Sequence, residues 1–235
     1  MEVTYNCWHG CHKKSEGCQH CYVYRRDEQI GKDSSIVSKT RNFALPVAKS
    51  RNGSYKYPAG TSFMMCFSSD FFIEEADPWR ADVLGMIEER SDCSFMCITK
   101  RPERIRECIP DLKKYRNLFI CCTMENQKRF DERCPLYLDL DLSKKGIMIE
   151  PMLERIDMSA YIDKIDMVSV GGESGDEARV LDFEWVKDIR RQCLDHGVEF
   201  SFHQTGARII VDGRLYAIPR NKQHSQAQKA FKDQY

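Results

Sequence analysis

The sequence predicts an α/β fold, a partial or nearly closed parallel (β/α) barrel of about six or seven strands, and three observations carry that expectation. Seven short apolar runs rich in β-branched residues recur along the chain, with helical stretches between them. Polar residues gather directly after six of these runs, at positions that share one rim in a parallel α/β fold. The 235-residue length suits one large domain with a real core, so residues 1–235 read as a single domain.

The first run, Val3 to Cys7, leads into a cysteine-rich loop over residues 7–22. The second, Ser62 to Phe67, ends in Ser68, Ser69 and Asp70. Asp77 then Pro78 predicts a helix up to Arg90, with Asp77 as N-cap and Pro78 as first helical residue. The third run, Ser94 to Thr99, is followed by Lys100 and Arg101, and Pro102 favours an extended turn at Arg101. Leu118 to Thr123 precedes Glu125, Asn126 and Gln127; Gly146 to Ile149 precedes Glu150; Met167 to Val170 precedes Glu173 and Ser174. Asp182 caps a helix that His196 and Gly197 close, and the last run, Glu199 to His203, is followed by Gln204. From about Ile218 to Tyr235 the chain reads as a polar helical extension docked on the barrel through Ala227, Ala230 and Phe231.

Apolar content of 42% and charged content of 31% are those of a globular protein in water, and no apolar run approaches the ~20 residues a bilayer requires. Met1 is followed within a few residues by polar groups, which do not form a secretory leader, so the expected compartment is the cytoplasm, with no membrane partner. Lys plus Arg equals Asp plus Glu at 36 each, which excludes a global positive field. Locally the balance differs. Between Asp33 and Asp70 there is no acidic residue, while Lys39, Arg41, Lys49, Arg51 and Lys56 contribute five positive charges. A solvated basic loop and an anion-contacting surface beside the site both stand as readings.

Twelve cysteines in a reducing compartment point to metal or cluster ligation more than to disulfides. Cys66, Cys97, Cys121 and Cys122 lie inside apolar runs and read as small core residues. The chemistry concentrates in Cys7-Trp-His-Gly-Cys11-His-Lys-Lys-Ser-Glu-Gly-Cys18-Gln-His-Cys21-Tyr22, whose core is C-x6-C-x2-C. Three thiolates on one loop can hold three irons of a 4Fe-4S cluster and leave the fourth without a protein ligand. Zinc is the alternative, completed by a fourth cysteine or by His9, His12 or His20.

The loop resembles that of a bacterial and phage-associated family of radical S-adenosylmethionine-like TIM-barrel proteins, which carries Asn-Pro-Trp-x-Gly-Cys followed by Gly-Cys-x-x-Cys-Tyr. Here those positions read Asn6-Cys7-Trp8-His9-Gly10-Cys11 and Gly17-Cys18-Gln19-His20-Cys21-Tyr22. Ser68-Ser69-Asp70-Phe71-Phe72, Thr99-Lys100-Arg101-Pro102-Glu103-Arg104, Glu125-Asn126-Gln127, Glu150-Pro151, Gly171-Gly172-Glu173-Ser174-Gly175 and Gln204-Thr205-Gly206 extend the similarity along nearly the whole chain. Two departures are plain. Cys7 stands where the family pattern has proline, and C-x6-C-x2-C differs from the C-x3-C-x2-C of the wider superfamily.

The resemblance implies a barrel of the radical-SAM type, a 4Fe-4S cluster on Cys11, Cys18 and Cys21, and S-adenosyl-L-methionine bound at the open iron and reductively cleaved to a 5′-deoxyadenosyl radical that abstracts hydrogen. It further implies a reducing partner such as flavodoxin or ferredoxin. On the same basis Ser68, Ser69 and Asp70 are candidates for the methionyl ammonium, and Glu125 and Asn126 for the ribose. Lys100, Arg101, Glu150, Glu173 and His203 are candidate catalytic residues. Lys100, Arg101 and Arg104 either receive a phosphate-bearing, nucleotide or nucleic-acid-related substrate, or pair internally with Glu125 or Glu150. Two other classes stay open: a zinc-bearing, non-catalytic nucleic-acid-binding module, and an iron-sulfur sensor.

Overall fold

Each of the seven apolar runs forms a strand. The computed structural model describes residues 1–231 and gives β1 (Glu2–Tyr5), β2 (Ser62–Met65), β3 (Ser94–Thr99), β4 (Leu118–Thr123), β5 (Gly146–Ile149), β6 (Met167–Gly171) and β7 (Glu199–Gln204). One seven-stranded sheet contains them in sequence order, β1-β2-β3-β4-β5-β6-β7. That order belongs to a partial barrel, whereas a doubly wound sheet reverses at a switch point. β2 stops at Met65, two residues short of the expected end, because Cys66 adopts a left-handed backbone (φ 56°) that turns the chain away from the sheet.

The helices are α1 (Tyr22–Gln29), α2 (Asp77–Glu89), α3 (Pro102–Cys108), α4 (Gln127–Leu138), α5 (Phe183–Asp195) and α6 (Gln223–Lys229). Asp182 caps α5 as expected, accepting from the Glu184 amide at 2.9 Å, and the chain leaves that helix through Gly197 at φ 68°. Asp77 is not the cap of α2. Ala76 occupies that position, and the Asp77 carboxylate instead takes charge-assisted bonds from Arg80 and Arg104, which are stronger than a bond to a helix amide. Arg101 (φ −123°, ψ 57°) is neither helical nor fully extended, and α3 begins at Pro102, so the chain does break there as that proline predicts.

The residues pack as two compact units, one of 1–13, 26–122 and 140–143, the other of 14–25, 123–139 and 144 onward. In the first, β1 to β4 run parallel with Tyr5 beside Met65, Met65 beside Cys97 and Cys97 beside Ile120. Phe63 and Phe95 stack at 5.1 Å inside it, and each such buried ring contributes about 1.5–3 kcal/mol. Cys66, Cys97, Cys121 and Cys122 are buried there, as their apolar contexts predict.

In the second unit β5, β6 and β7 run parallel, with Ile149 beside Val170 and Val170 beside Phe202. The extension docks as expected, Phe231 stacking on Phe183 at 5.4 Å and meeting Phe202 edge-on, while Ala227 is buried. Its regular helix is shorter than expected, and residues 232–235 lie outside the described residues. A hairpin of Arg208–Val211 and Arg214–Ala217 precedes it, carried on a parallel pairing of Ile209 with Leu181. No helix among the described residues is long and apolar enough to cross a membrane.

Candidate metal-binding cysteine loop

None of the twelve cysteines is in a disulfide, and burial sorts them. Eight are buried; Cys11, Cys18 and Cys21 are half-buried, together with Cys108 on α3. Burial pushes the Cys66 and Cys97 thiols well up, and those of Cys134 and Cys193 up to about 12, so these core thiols stay protonated and make poor metal ligands.

In the first unit the loop backbone around Cys11 is fixed at three successive residues. Gly10 donates its amide to the Ser68 carbonyl at 3.1 Å and accepts the Ser69 hydroxyl. It holds φ 96°, and a β-carbon there would lie 2.3 Å from the Ile36 carbonyl oxygen, so only glycine fits. Cys11 donates its amide to the Ser34 carbonyl at 2.8 Å. The His12 carbonyl accepts from Arg101 Nη2 at 3.1 Å, and Arg101 Nη1 bonds Asp70 Oδ2 at 3.0 Å.

Asp70 is buried and its carboxylate is filled by protein donors: Thr99 Oγ1 at 2.8 Å, the Phe72 amide at 2.9 Å, the Lys100 amide at 3.0 Å and Arg101. Burial pulls the Arg101 pKa down, yet the charges of Asp70 and Cys11 outweigh it and hold the guanidinium above its ordinary value. Arg104 bonds both Asp77 oxygens, at 2.6 and 2.8 Å. Arg101 and Arg104 are therefore internally paired, with Asp70 and Asp77 as partners in place of the expected Glu125 or Glu150, while Lys100 joins through its backbone amide.

In the second unit the segment leading to Cys18 is held by Glu125, which is fully buried. Its Oε1 accepts from the Ser15 hydroxyl and from the Gly17 amide at 3.2 Å, and its Oε2 accepts from Arg133 at 2.7 Å. A β-carbon on Gly17 would stand 2.9 Å from that Oε1. Asn126 caps α4 by accepting the Arg129 amide at 2.8 Å, and Arg129 reaches Glu16 with two bonds of 2.8 Å. Those bonds hold the Glu16 carboxyl at about 2.

Arg179 donates to the Glu16 carbonyl at 3.0 Å while clamping Glu173 through bonds of 2.6 and 2.9 Å. Burial pushes the Glu173 carboxyl up, but the Arg179 side chain and amide outweigh it and keep it below the usual carboxylate range. The Lys14 amide donates to Cys18 Sγ at 3.5 Å, an N–H···S contact of the kind that stabilises a thiolate ligand. Cys21 opens α1, its carbonyl accepting the Arg25 amide at 3.3 Å.

Glu150 and His203 meet at 2.8 Å through His203 Nδ1, and Gln204 donates to the second Glu150 oxygen. A β-carbon on Gly171 would lie 2.5 Å from the Glu150 carboxyl carbon, so glycine at the end of β6 makes room for this group. The residues missed in sequence are Arg133, Arg179, Ser34, Ser15 and Glu16. Arg133 left one signal, a cation between Phe130, Cys134 and Tyr137 on the buried face of α4.

Fold and loop together define a class: an α/β protein with partial-barrel strand order, carrying a cysteine loop whose backbone is pinned by buried charged side chains. The family model described as "Protein of unknown function (DUF5131)" matches residues 1–232, and the chain belongs to that family. No curated protein and no solved structure matches the chain.

Proposed function

We propose that this protein is an iron-sulfur enzyme of the radical S-adenosylmethionine type, with Cys11, Cys18 and Cys21 as the thiolate ligands of a 4Fe-4S cluster. The observation that carries the proposal is the donor set: three half-buried cysteines outside any disulfide on one short loop, in a chain that buries eight of its other nine cysteines in the core. Thiolates are the ligands such clusters take, and the Lys14 amide directed at Cys18 Sγ suits that use. The donor type fits the group, while among the described residues no three His, Cys, Asp or Glu side chains stand gathered as a metal site. When bound, the cluster and S-adenosyl-L-methionine supply one-electron chemistry that ends in hydrogen abstraction from a substrate.

The chain's own residues supply placement. Asp70 with Arg101 and the Glu125–Arg133 pair are positioning residues that fix the backbone beside Cys11 and before Cys18, each within its unit. Glu173 acts through Arg179 in the same way. Of the side chains expected to meet S-adenosylmethionine or its ribose, Ser69 and Glu125 bond the loop, Asp70 holds it through Arg101, Asn126 caps α4, and Ser68 bonds Gly10 through its backbone carbonyl. His203, held at Nδ1 by Glu150, is the group at the end of β7 that exchanges a proton with substrate through Nε2.

A zinc-bearing binding module is the second reading, favoured by one feature: His9, His12 and His20 each pair with a carboxylate, Asp27, Glu75 and Glu177, as zinc-binding histidines commonly do. The deciding experiment is dithionite reduction of anaerobically reconstituted protein with S-adenosylmethionine. Release of 5′-deoxyadenosine supports the enzyme. A fully loaded cluster that leaves S-adenosylmethionine intact contradicts it and favours an iron-sulfur sensor.

A further inference from the structure

We infer that the acid-free segment Ser34–Ser69, whose two ends are bonded to the cysteine loop, is a binding surface for the phosphodiester backbone of a nucleic acid. Lys39, Arg41, Lys49, Arg51 and Lys56 are all exposed, with no carboxylate in the segment to neutralise them. Lys39 has Asp82 at 3.6 Å, whereas Arg41, Arg51 and Lys56 make no ion pair among the described residues.

The segment leaves from and returns to the loop backbone. Near its start Ser34 accepts the Cys11 amide, Lys39 pairs with Trp8 across a two-stranded ribbon, and Thr40 donates its hydroxyl to Asn6 at 2.5 Å. At its end Ser68 and Ser69 both bond Gly10. Lys39 therefore stands beside the loop strand, whereas Lys49, Arg51 and Lys56 belong to the stretch that Arg90 holds just ahead of β3, at the N-terminal edge of β2 and β3.

The bland reading, a solvated loop, is opposed by how the segment is anchored. Arg90 is completely buried, and its guanidinium donates to the Pro46 carbonyl at 2.5 Å and the Tyr57 carbonyl at 2.8 Å. Tyr5 donates its hydroxyl to the Phe43 carbonyl at 2.5 Å. Long connections with little regular structure are uncommon in compact domains and are usually functional. Spending a buried arginine on two loop carbonyls fixes the shape of a surface whose side chains stay in solvent.

The chemistry selects the partner. A protein interface needs an apolar centre, and Ile36 is the one large apolar side chain in this segment among the most exposed of the molecule. Spaced cations among Ser, Asn, Gly and Tyr suit a phosphate backbone, which is bound by counterion release. The inference goes beyond the proposed function: it names a nucleic-acid partner for this surface and does not depend on the chemistry of the cysteine loop.

The test is fluorescence anisotropy with labelled single-stranded DNA, duplex DNA and RNA, from about 50 to 200 mM salt. At least one should bind with a log–log salt slope near about −3, since about four phosphate contacts each contribute about −0.7 to −0.9. Charge reversal at Arg41→Glu, Lys49→Glu, Arg51→Glu and Lys56→Glu together should weaken binding at least about tenfold, and the four Gln substitutions should do so less. Iron content should match wild type in both variants, separating lost binding from lost folding. Absent or salt-independent wild-type binding, or unchanged binding by both variants, would overturn the inference. So would normal nucleic-acid binding by a charge-reversal protein that no longer accepts electrons from an acidic carrier, which would place a protein on this surface. Wild-type protein that binds nucleic acid but takes up no iron would retain the surface and discard the radical chemistry.

Discussion

Arg101 joins two carbonyl and carboxylate partners that lie far apart in sequence, bonding Asp70 Oδ2 at 3.0 Å and the His12 carbonyl at 3.1 Å, one residue beyond Cys11. A lysine can neutralise Asp70 but has no rigid fork to reach both oxygens. Arg101→Lys is therefore expected to keep most of the thermal stability and lose much of the iron on anaerobic reconstitution. Arg101→Ala leaves a buried carboxylate short of one partner, and urea unfolding should show a loss of about 3 kcal/mol, the low end of the range because three other donors remain on Asp70. Equal iron content in wild type and Arg101→Lys would remove the positioning role.

Gly17 touches the Glu125 carboxylate so closely that a methyl group has no room, and that carboxylate is pinned by Arg133. Gly17→Ala should displace the segment before Cys18 and lower iron content several-fold. Gly85→Ala is the matched control, an exposed mid-helix glycine of α2 with nothing near its absent β-carbon, and it should raise stability by about 0.5–1 kcal/mol. Glu125→Gln should cost about 3–5 kcal/mol, because Arg133 would be left buried without its counter-charge. Calorimetry on the three variants checks the stabilities, and an iron assay after anaerobic reconstitution checks the loss in Gly17→Ala.

The sequence carried the α/β class and the place of all seven sheet strands, because each is a contiguous apolar run and such runs need no partner to be recognised. It carried the buried cysteines for the same reason. The roles of Asp70, Glu125 and Glu173 were not readable. All three were expected to face a ligand, yet their oxygens are taken up by Arg101, Arg133 and Arg179, and which guanidinium meets which carboxylate depends on packing that no local pattern encodes. Asp77 illustrates the same limit: the Asp-Pro pair marks a helix start, while its true partners are Arg80 and Arg104.

Acid should loosen one of these attachments in a defined window. Arg129 lowers the Glu16 carboxyl from 4.5 to about 2. A depressed folded value contributes stability that is fully present above the unfolded pKa and is lost as pH falls through the folded one. The urea midpoint of wild type should exceed that of Glu16→Gln by a constant amount above pH 4.5, and the gap should narrow from there towards pH 2. A gap that does not change with pH would show that the Glu16–Arg129 contact adds nothing.

Cys7 lies 3.1 Å from Cys66, sulfur to sulfur, and is completely buried, which sets it apart from the loop thiols. Cys7→Ala should retain wild-type iron while losing on the order of 1 kcal/mol from the small cavity it leaves. Iron loss in that variant, at unchanged stability, would make Cys7 a ligand.

The most direct measurement is iron and acid-labile sulfide per chain after anaerobic reconstitution, compared with Cys11→Ala, Cys18→Ala and Cys21→Ala. About four of each in the wild-type protein, with the cluster lost in every one of the three variants, is the expected result. Stoichiometric zinc without iron, or a full cluster surviving loss of any of these thiols, would contradict it.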